Sequence, residues 1–300
     1  MKRRNLLQLL PALGSGLVFG QPGPVPGGLL TRAIPSSGEA LPLVGLGTWI
    51  TFNVGDDIAA REQCAEVVRN FFDAGGRLID SSPMYGSSQS VIGDALQKTG
   101  AMARVFSADK VWTSSDGAAQ VESSRRLWRV PRFDLLQVHN LLAWREQLAL
   151  LQAMKATQRV RYVGITTSEG RRHREFEDIM RRERIDFAQF TYNLFDREAE
   201  DRLLPLARER GIAVLVNRPF REGALLRQLG RHRLPGWAAD IGCATWAQVA
   251  LKFVVSHPAV TCAIPATSSV AHVRENMAAA RGLLPDAALR GRMAADVARL

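Results

Sequence analysis

A closed (β/α)8 TIM barrel preceded by a β-hairpin is the fold class this sequence predicts, and three observations carry it. Eight short apolar runs end in polar or small residues, at 43–48, 77–82, 104–110, 134–139, 161–166, 186–191, 212–217 and 261–265. Amphipathic stretches of helical period separate them, which implies a parallel sheet with helices outside. Eight such units over about 250 residues suit a closed barrel. An open doubly wound sheet is the competing architecture, but no GxGxxG follows an early strand.

The elements follow in chain order. Residues 1–28 read as a signal peptide and linker: a basic cluster (Lys2, Arg3, Arg4), an apolar stretch over 6–19 and a Pro/Gly-rich segment over 22–28. That order marks a secretory leader. The pair Arg3-Arg4 followed by Asn5-Leu6-Leu7-Gln8 resembles a twin-arginine export signal. The apolar stretch is short for a stable membrane span, so the expectation is a periplasmic protein, with a cytoplasmic one as the alternative. Residues 29–300 are long enough to bury a barrel core as a single domain. "SSGE" at 36–39, between two short apolar segments, reads as the turn of the hairpin. Residues 60–76 carry apolar positions at helical spacing and a glycine stop; 200–211, with Pro205 early, and 244–258 repeat the pattern.

Composition narrows the function. The chain has 300 residues and a formal net charge of +10. The arginines are scattered and interleaved with acids, as over 171–184, which describes a solvated helix face. Nucleic-acid binding asks for a clustered basic stripe with exposed aromatics, whereas an anionic small ligand can draw on part of the excess charge. Cys64, Cys243 and Cys262 are odd in number and lack CxxC spacing. They read as packing residues and suggest neither a disulfide framework nor a metal site. No strand-end pair of glutamates points to glycoside hydrolysis.

The chemistry lies at the strand ends, where barrels of this kind place their active sites. Asp80 and Tyr85 follow the second run, Lys110 ends the third and His139 ends the fourth. Each alone is a weak signal; four such groups at the ends of three consecutive strands form a proton relay. A tyrosine with a pKa near 10 is a poor acid at neutrality, and a neighbouring Lys110 ammonium is expected to lower that value. Asp80 is expected to hold Lys110, and His139 to orient a substrate oxygen toward Tyr85. The relay suits carbonyl reduction, and since it supplies no hydride a cofactor must.

The stretches "GLGTW" (45–49), "LIDSSPMYG" (78–86), "ADKVW" (108–112), "DLLQVHN" (134–140), "VRYVGIT" (160–166), "AQFTYN" (188–193) and "IPATSSVAHVREN" (264–276) resemble the aldo-keto reductase superfamily. That resemblance implies a (β/α)8 barrel reducing carbonyl compounds with NAD(P)H, and it places the catalytic tetrad on Asp80, Tyr85, Lys110 and His139. It puts Gly47, Thr48 and Trp49 beside the nicotinamide, with close backbone approach as the reason for Gly47. Thr166 and Thr167 stand where the family commonly has Ser-Asn, and Gln189 matches its carboxamide-binding glutamine. Asn217, Arg218, Pro219 and Phe220 replace a Tyr-Ser-Pro-Leu segment, with Arg218 expected to touch pyrophosphate. Thr267, Ser268, Ser269, His272, Glu275 and Asn276 mark the adenosine end. Ala266 and His272 stand in place of a Lys/Arg clamp, but the small polar Thr267, Ser268 and Ser269 remain and a helix N-terminus there favours an anion; NADP is the expected cofactor, with NAD possible. Trp49, Trp112 and Trp144 are candidates for an apolar substrate pocket, left open by the short segment after Asn276. A monomer acting on a small-molecule carbonyl substrate is expected, the alternative being a catalytically weak cofactor-binding regulatory barrel.

Overall fold

The computed structural model describes residues 28–300, so residues 1–27, and with them nearly all of the expected leader, lie outside the described residues. The chain opens with an antiparallel hairpin, β1 (Thr31–Ala33) and β2 (Ala40–Pro42). Its turn is closed by the Ile34 N–H donating to the Glu39 carbonyl at 2.8 Å and takes Gly38 through φ +77°, a conformation that glycine adopts at no steric cost. The expected "SSGE" turn therefore forms.

Eight parallel strands follow: β3 (Leu46–Gly47), β4 (Leu78–Asp80), β5 (Phe106–Val111), β6 (Phe133–Val138), β7 (Val160–Thr166), β8 (Phe187–Thr191), β9 (Ala213–Asn217) and β10 (Cys262–Ala263). They lie side by side in chain order, and each comes from one of the eight apolar runs. Parallel bridges Val44–Ala263 and Gly47–Ala266 join the first run to the last and close the barrel. At this seam a Cβ on Gly47 would sit 2.6 Å from the Ile264 carbonyl oxygen, so only glycine lets the two backbones meet. Pro265 has no N–H to donate, one reason the seam strands are shorter than their apolar runs.

The connecting segments are helices α1 (Ile58–Asp73), α2 (Ser88–Thr99), α3 (Gly117–Trp128), α4 (Trp144–Ala156), α5 (His173–Arg182), α6 (Leu203–Arg210), α7 (Ala224–Leu229), α8 (Trp237–Asp240), α9 (Trp246–Val255), α10 (Val270–Ala278) and α11 (Ala287–Val297). The Asp57 side chain caps α1 by accepting from the Ala60 N–H. Pro205 stands third in α6, in the first turn, where no intrahelical donor is lost. The arginines of the 171–184 stretch pair with nearby acids, among them Arg172 with Glu175 and Arg181 with Glu177, as expected of a solvated face.

Two cores result from strand alternation. Outward-facing strand residues such as Phe133 and Phe190 pack under the helices, against Val67, Phe71, Trp128 and Phe176. Inward-facing Leu78, Phe106, Leu135, Tyr162, Phe187 and Leu215 fill the barrel, and Ile34 and Leu41 of the hairpin plug its N-terminal end. All three cysteines are buried and unlinked. Among the described residues no helix is long and apolar enough to cross a membrane.

Candidate active site

The alternation that fills the barrel also aims its chemistry. In β5, Phe106 and Ala108 point inward, so Lys110, two residues on, points inward at the C-terminal mouth. In β4 the same count from Leu78 brings Asp80 inward. The two meet: Lys110 Nζ donates to Asp80 Oδ1 at 2.5 Å and to the Ser81 carbonyl at 2.7 Å. Both side chains are at most 3% exposed. The second carboxylate oxygen of Asp80 accepts from Gln189 Nε2 at 3.0 Å and Gln137 Nε2 at 3.4 Å. A buried ion pair of this kind persists only when its remaining lone pairs are satisfied.

Tyr85 sits above that pair. Its backbone N–H donates to the Ser82 carbonyl at 3.0 Å, and the Lys110 ammonium lies 5.0 Å from its ring centroid. The His139 ring stands edge-on to the Tyr85 ring, centroids 5.7 Å apart. His139 Nδ1 is 2.7 Å from Ser82 Oγ. The four residues expected to converge on one mouth do so.

Their protonation departs from the sequence expectation in one respect. Burial pushes the Tyr85 phenol above its ordinary value, and the pull of Lys110 toward phenolate does not offset it. The expected lowering is thus corrected: the Lys110 charge is already balanced by Asp80, and the enclosed site disfavours a second anion. Burial works against the Lys110 ammonium as well, but the Asp80 carboxylate that accepts from it carries its pKa above the usual lysine value. Burial, aided by the Lys110 charge, depresses His139 to about 2. Near neutral pH the site therefore holds a neutral phenol, an ammonium and a neutral imidazole, which is the resting state of a proton donor.

A cavity of about 880 Å³ runs from this cluster to the first turn of α10. Asp80, Tyr85 and His139 line it together with Gly47, Thr48, Trp49, Thr166, Gln189 and Asn217. Arg218, Pro219 and Phe220 line it as well, as do Thr267, His272, Glu275 and Asn276. Lys110 lies beneath, in reach of Asp80. Three expected contact residues, Thr167, Ser268 and Ser269, are not among those that line the cavity. The Thr167 hydroxyl donates to the Arg171 carbonyl at 2.6 Å, the Ser268 carbonyl accepts from Gln63, and Ser269 caps α10. Arg218 lines the cavity with its guanidinium paired to Glu169 at 2.9 Å and to Glu222. Trp49 lines the cavity, whereas Trp112 does not and the Trp144 indole donates to Glu175 at 3.0 Å. No residue after Asn276 lines the cavity among the described residues.

Sequence reasoning missed three polar groups. Ser82 and Gln137 touch the tetrad directly. The third, Asp109, points outward from β5 and is fully buried, accepting from Gln89 Nε2 at 2.7 Å and from the Lys110 N–H at 2.8 Å. Its signal was an acid inside an apolar run. Burial pushes its carboxyl up to about 7. The unfolded chain releases this proton near pH 4 while the folded chain keeps it to about 7, so this residue's contribution to stability falls as pH rises through that window. Asp109→Asn, which cannot ionise, is expected to gain about 2 kcal/mol over the wild type between pH 5 and pH 7. Urea denaturation of both proteins at the two pH values checks this, and a pH-independent difference would contradict it.

The donor chemistry of the cavity fits a nicotinamide dinucleotide. Amides and hydroxyls of Gln189, Asn217 and Thr166 stand beside the tetrad, and small polar side chains precede the N-terminus of α10, where backbone N–H groups favour an anion. Fold and site together define a (β/α)8 oxidoreductase of the carbonyl-reducing class.

The chain belongs to the Aldo/keto reductase family, which matches residues 43–290. It is 29% identical to methylglyoxal reductase YeaE of Escherichia coli over 257 residues, covering 82% of this chain and 88% of that protein. It is 25% identical to the NADH-specific methylglyoxal reductase of the same organism, over 65% of this chain and 68% of the relative. Among solved structures, an aldo/keto reductase from Klebsiella pneumoniae in complex with NADP and acetate superposes with a TM-score of 0.73 at 27% identity, covering 87% of this chain and 92% of the other. The activity of this chain is NAD(P)-dependent carbonyl reduction.

Proposed function

We propose that the protein reduces a small aldehyde or ketone, reversibly, with NADPH as the principal hydride donor and Tyr85 as the proton donor. The observation that carries the assignment is the Tyr85 ring set above the Asp80–Lys110 pair, with the His139 ring edge-on beside it. The bound nicotinamide supplies a hydride to the carbonyl carbon. The protein supplies the rest. Tyr85 gives its hydroxyl proton to the carbonyl oxygen as negative charge builds there. The Lys110 ammonium stabilises the phenolate left behind, and Asp80 holds Lys110 in place. His139 donates a hydrogen bond to the same oxygen and orients it. Gln189, Asn217 and Thr166 hold the nicotinamide end, and Thr267, His272, Glu275 and Asn276 the adenosine end.

Ala266 offers no cation to a 2′-phosphate, and Arg274 is turned away to Asn70, so use of NADH as well is part of the proposal. A complex with NADP in one relative and the NADH-specific name of another support both cofactors. Two methylglyoxal reductases among the relatives support a small dicarbonyl as one substrate. The test is a panel of aldehydes, ketones and dicarbonyls with NADPH and with NADH, following loss of the reduced nicotinamide absorbance. Binding of either dinucleotide without turnover on any carbonyl would favour a regulatory barrel instead.

We also propose that residues 1–28 direct export of the folded protein to the periplasm by a twin-arginine route. The basic pair Arg3-Arg4 ahead of an apolar stretch supports this. Three buried, unlinked cysteines agree with folding in a reducing compartment. Replacing Arg3 and Arg4 by lysine is expected to retain full-length active enzyme in the cytoplasm, while the wild type appears shortened in the periplasmic fraction. Wild-type protein left in the cytosol with its leader attached would refute the export route.

A further inference from the structure

Among the described residues, the His139 ring has one protein hydrogen-bond partner, the Ser82 hydroxyl, 2.7 Å from Nδ1. Both residues are buried. Ser82 is fixed by its own turn: it lies two residues beyond the end of β4, and its carbonyl accepts from the Tyr85 N–H at 3.0 Å. One residue thus anchors the backbone that carries Tyr85 and touches the imidazole that faces it.

The protons in this contact can be placed. A neutral imidazole has one N–H and one lone-pair nitrogen. Ser82 Oγ already accepts from the Met84 N–H at 3.2 Å. Its own hydroxyl proton has no acceptor among the described residues other than His139 Nδ1. A buried hydroxyl left without an acceptor is costly, so Ser82 donates and Nδ1 accepts. Burial and the neighbouring Lys110 keep the ring from taking a second proton, holding its pKa at about 2. The ring proton is then on Nε2, and His139 lines the cavity.

We propose that Ser82 is a positioning residue that holds His139 as the Nε2–H tautomer, so that this N–H is the group offered to the carbonyl oxygen beside Tyr85. The opposite tautomer would set a nitrogen lone pair against an oxygen lone pair and repel the substrate. With Ser82 in place the oxygen meets two donors, of which Tyr85 gives up its proton and His139 keeps its own. The donor role rests on the carbonyl-reductase reading; the tautomer does not.

Two measurements on the full chain separate these. Two-bond ¹⁵N–¹H NMR correlations on histidine-labelled protein, assigned with His139→Gln, report which nitrogen carries the proton without any substrate. The wild type is expected to show Nε2–H, and Ser82→Ala a mixture of tautomers. In turnover, Ser82→Ala is expected to lower kcat about tenfold, with the dissociation constant for NADPH unchanged. Ser82→Thr, which keeps the hydroxyl, should restore the Nε2–H pattern and most of the rate. A wild-type Nδ1–H pattern, or a Ser82→Ala protein still wholly Nε2–H, overturns the proposal whatever the rates. A tautomer mixture in Ser82→Ala with undiminished kcat overturns its catalytic half. If the wild type turns over no carbonyl at all, the reductase reading fails while the NMR result still decides the tautomer.

Discussion

Tyr85→Phe is expected to lower kcat by about 10²–10⁴-fold, the range that a positioned general acid contributes, while the dissociation constants for NADPH and NADH stay within about twofold of wild type, a difference of roughly 0.4 kcal/mol. The substitution keeps the ring, its edge contact with His139 and its place above Lys110, and removes only the hydroxyl. Burial raises the phenol pKa, so the proton is in place throughout the neutral range. The group is therefore loaded before substrate arrives, and loss of the hydroxyl removes the donor rather than shifting its titration. Steady-state turnover together with fluorescence titration of the dinucleotide separates chemistry from binding. A variant that turns over like wild type would remove Tyr85 from the reaction, and one that loses dinucleotide affinity in step with its rate would make it a binding residue.

The second large effect concerns the pair beneath it. Asp80→Asn leaves the Lys110 ammonium, buried and previously held at 2.5 Å, without a counter-charge. Breaking a buried pair from one side typically costs about 3–5 kcal/mol, and that loss is expected in urea denaturation, together with a drop in turnover of at least about 10²-fold. Adding Lys110→Met removes the orphaned charge and keeps the length of the stem. The double variant is therefore expected to return to within about 1 kcal/mol of wild-type stability, since a buried ion pair and an apolar replacement of similar volume often stabilise equally, yet to remain inactive. Separate fates for stability and activity would show that the pair serves the chemistry of Tyr85 rather than the fold. A single Asp80→Asn variant as stable as wild type would mean that the pair is not an uncompensated charge waiting to be exposed.

The sequence by itself determined the order of elements and the identity of the tetrad, because both are local. Period-two burial within a run and helical spacing between runs are written in neighbouring residues, and a strand end fixes which side chains reach the mouth. Asp80, Tyr85, Lys110 and His139 were legible for that reason, as was the hairpin turn at "SSGE". The adenosine end was legible only as motif, because its residue types serve equally as caps and as ligands. Only the tertiary structure decided that the Thr167 and Ser269 hydroxyls bond backbone groups, that the Ser268 carbonyl accepts from Gln63, that Arg218 is held by Glu169 and Glu222, that Trp112 and Trp144 stand outside the cavity, and that Ser82 meets His139. It alone decided the state of Tyr85 too. Protonation depends on how much water is excluded and which charges are already paired, and here the balance is struck between Asp80, Lys110 and Gln189, residues brought together from three separate strands by closure of the barrel. A sequence records each of these groups but not the enclosure they share, and enclosure is what raises the phenol where proximity to lysine alone would have lowered it.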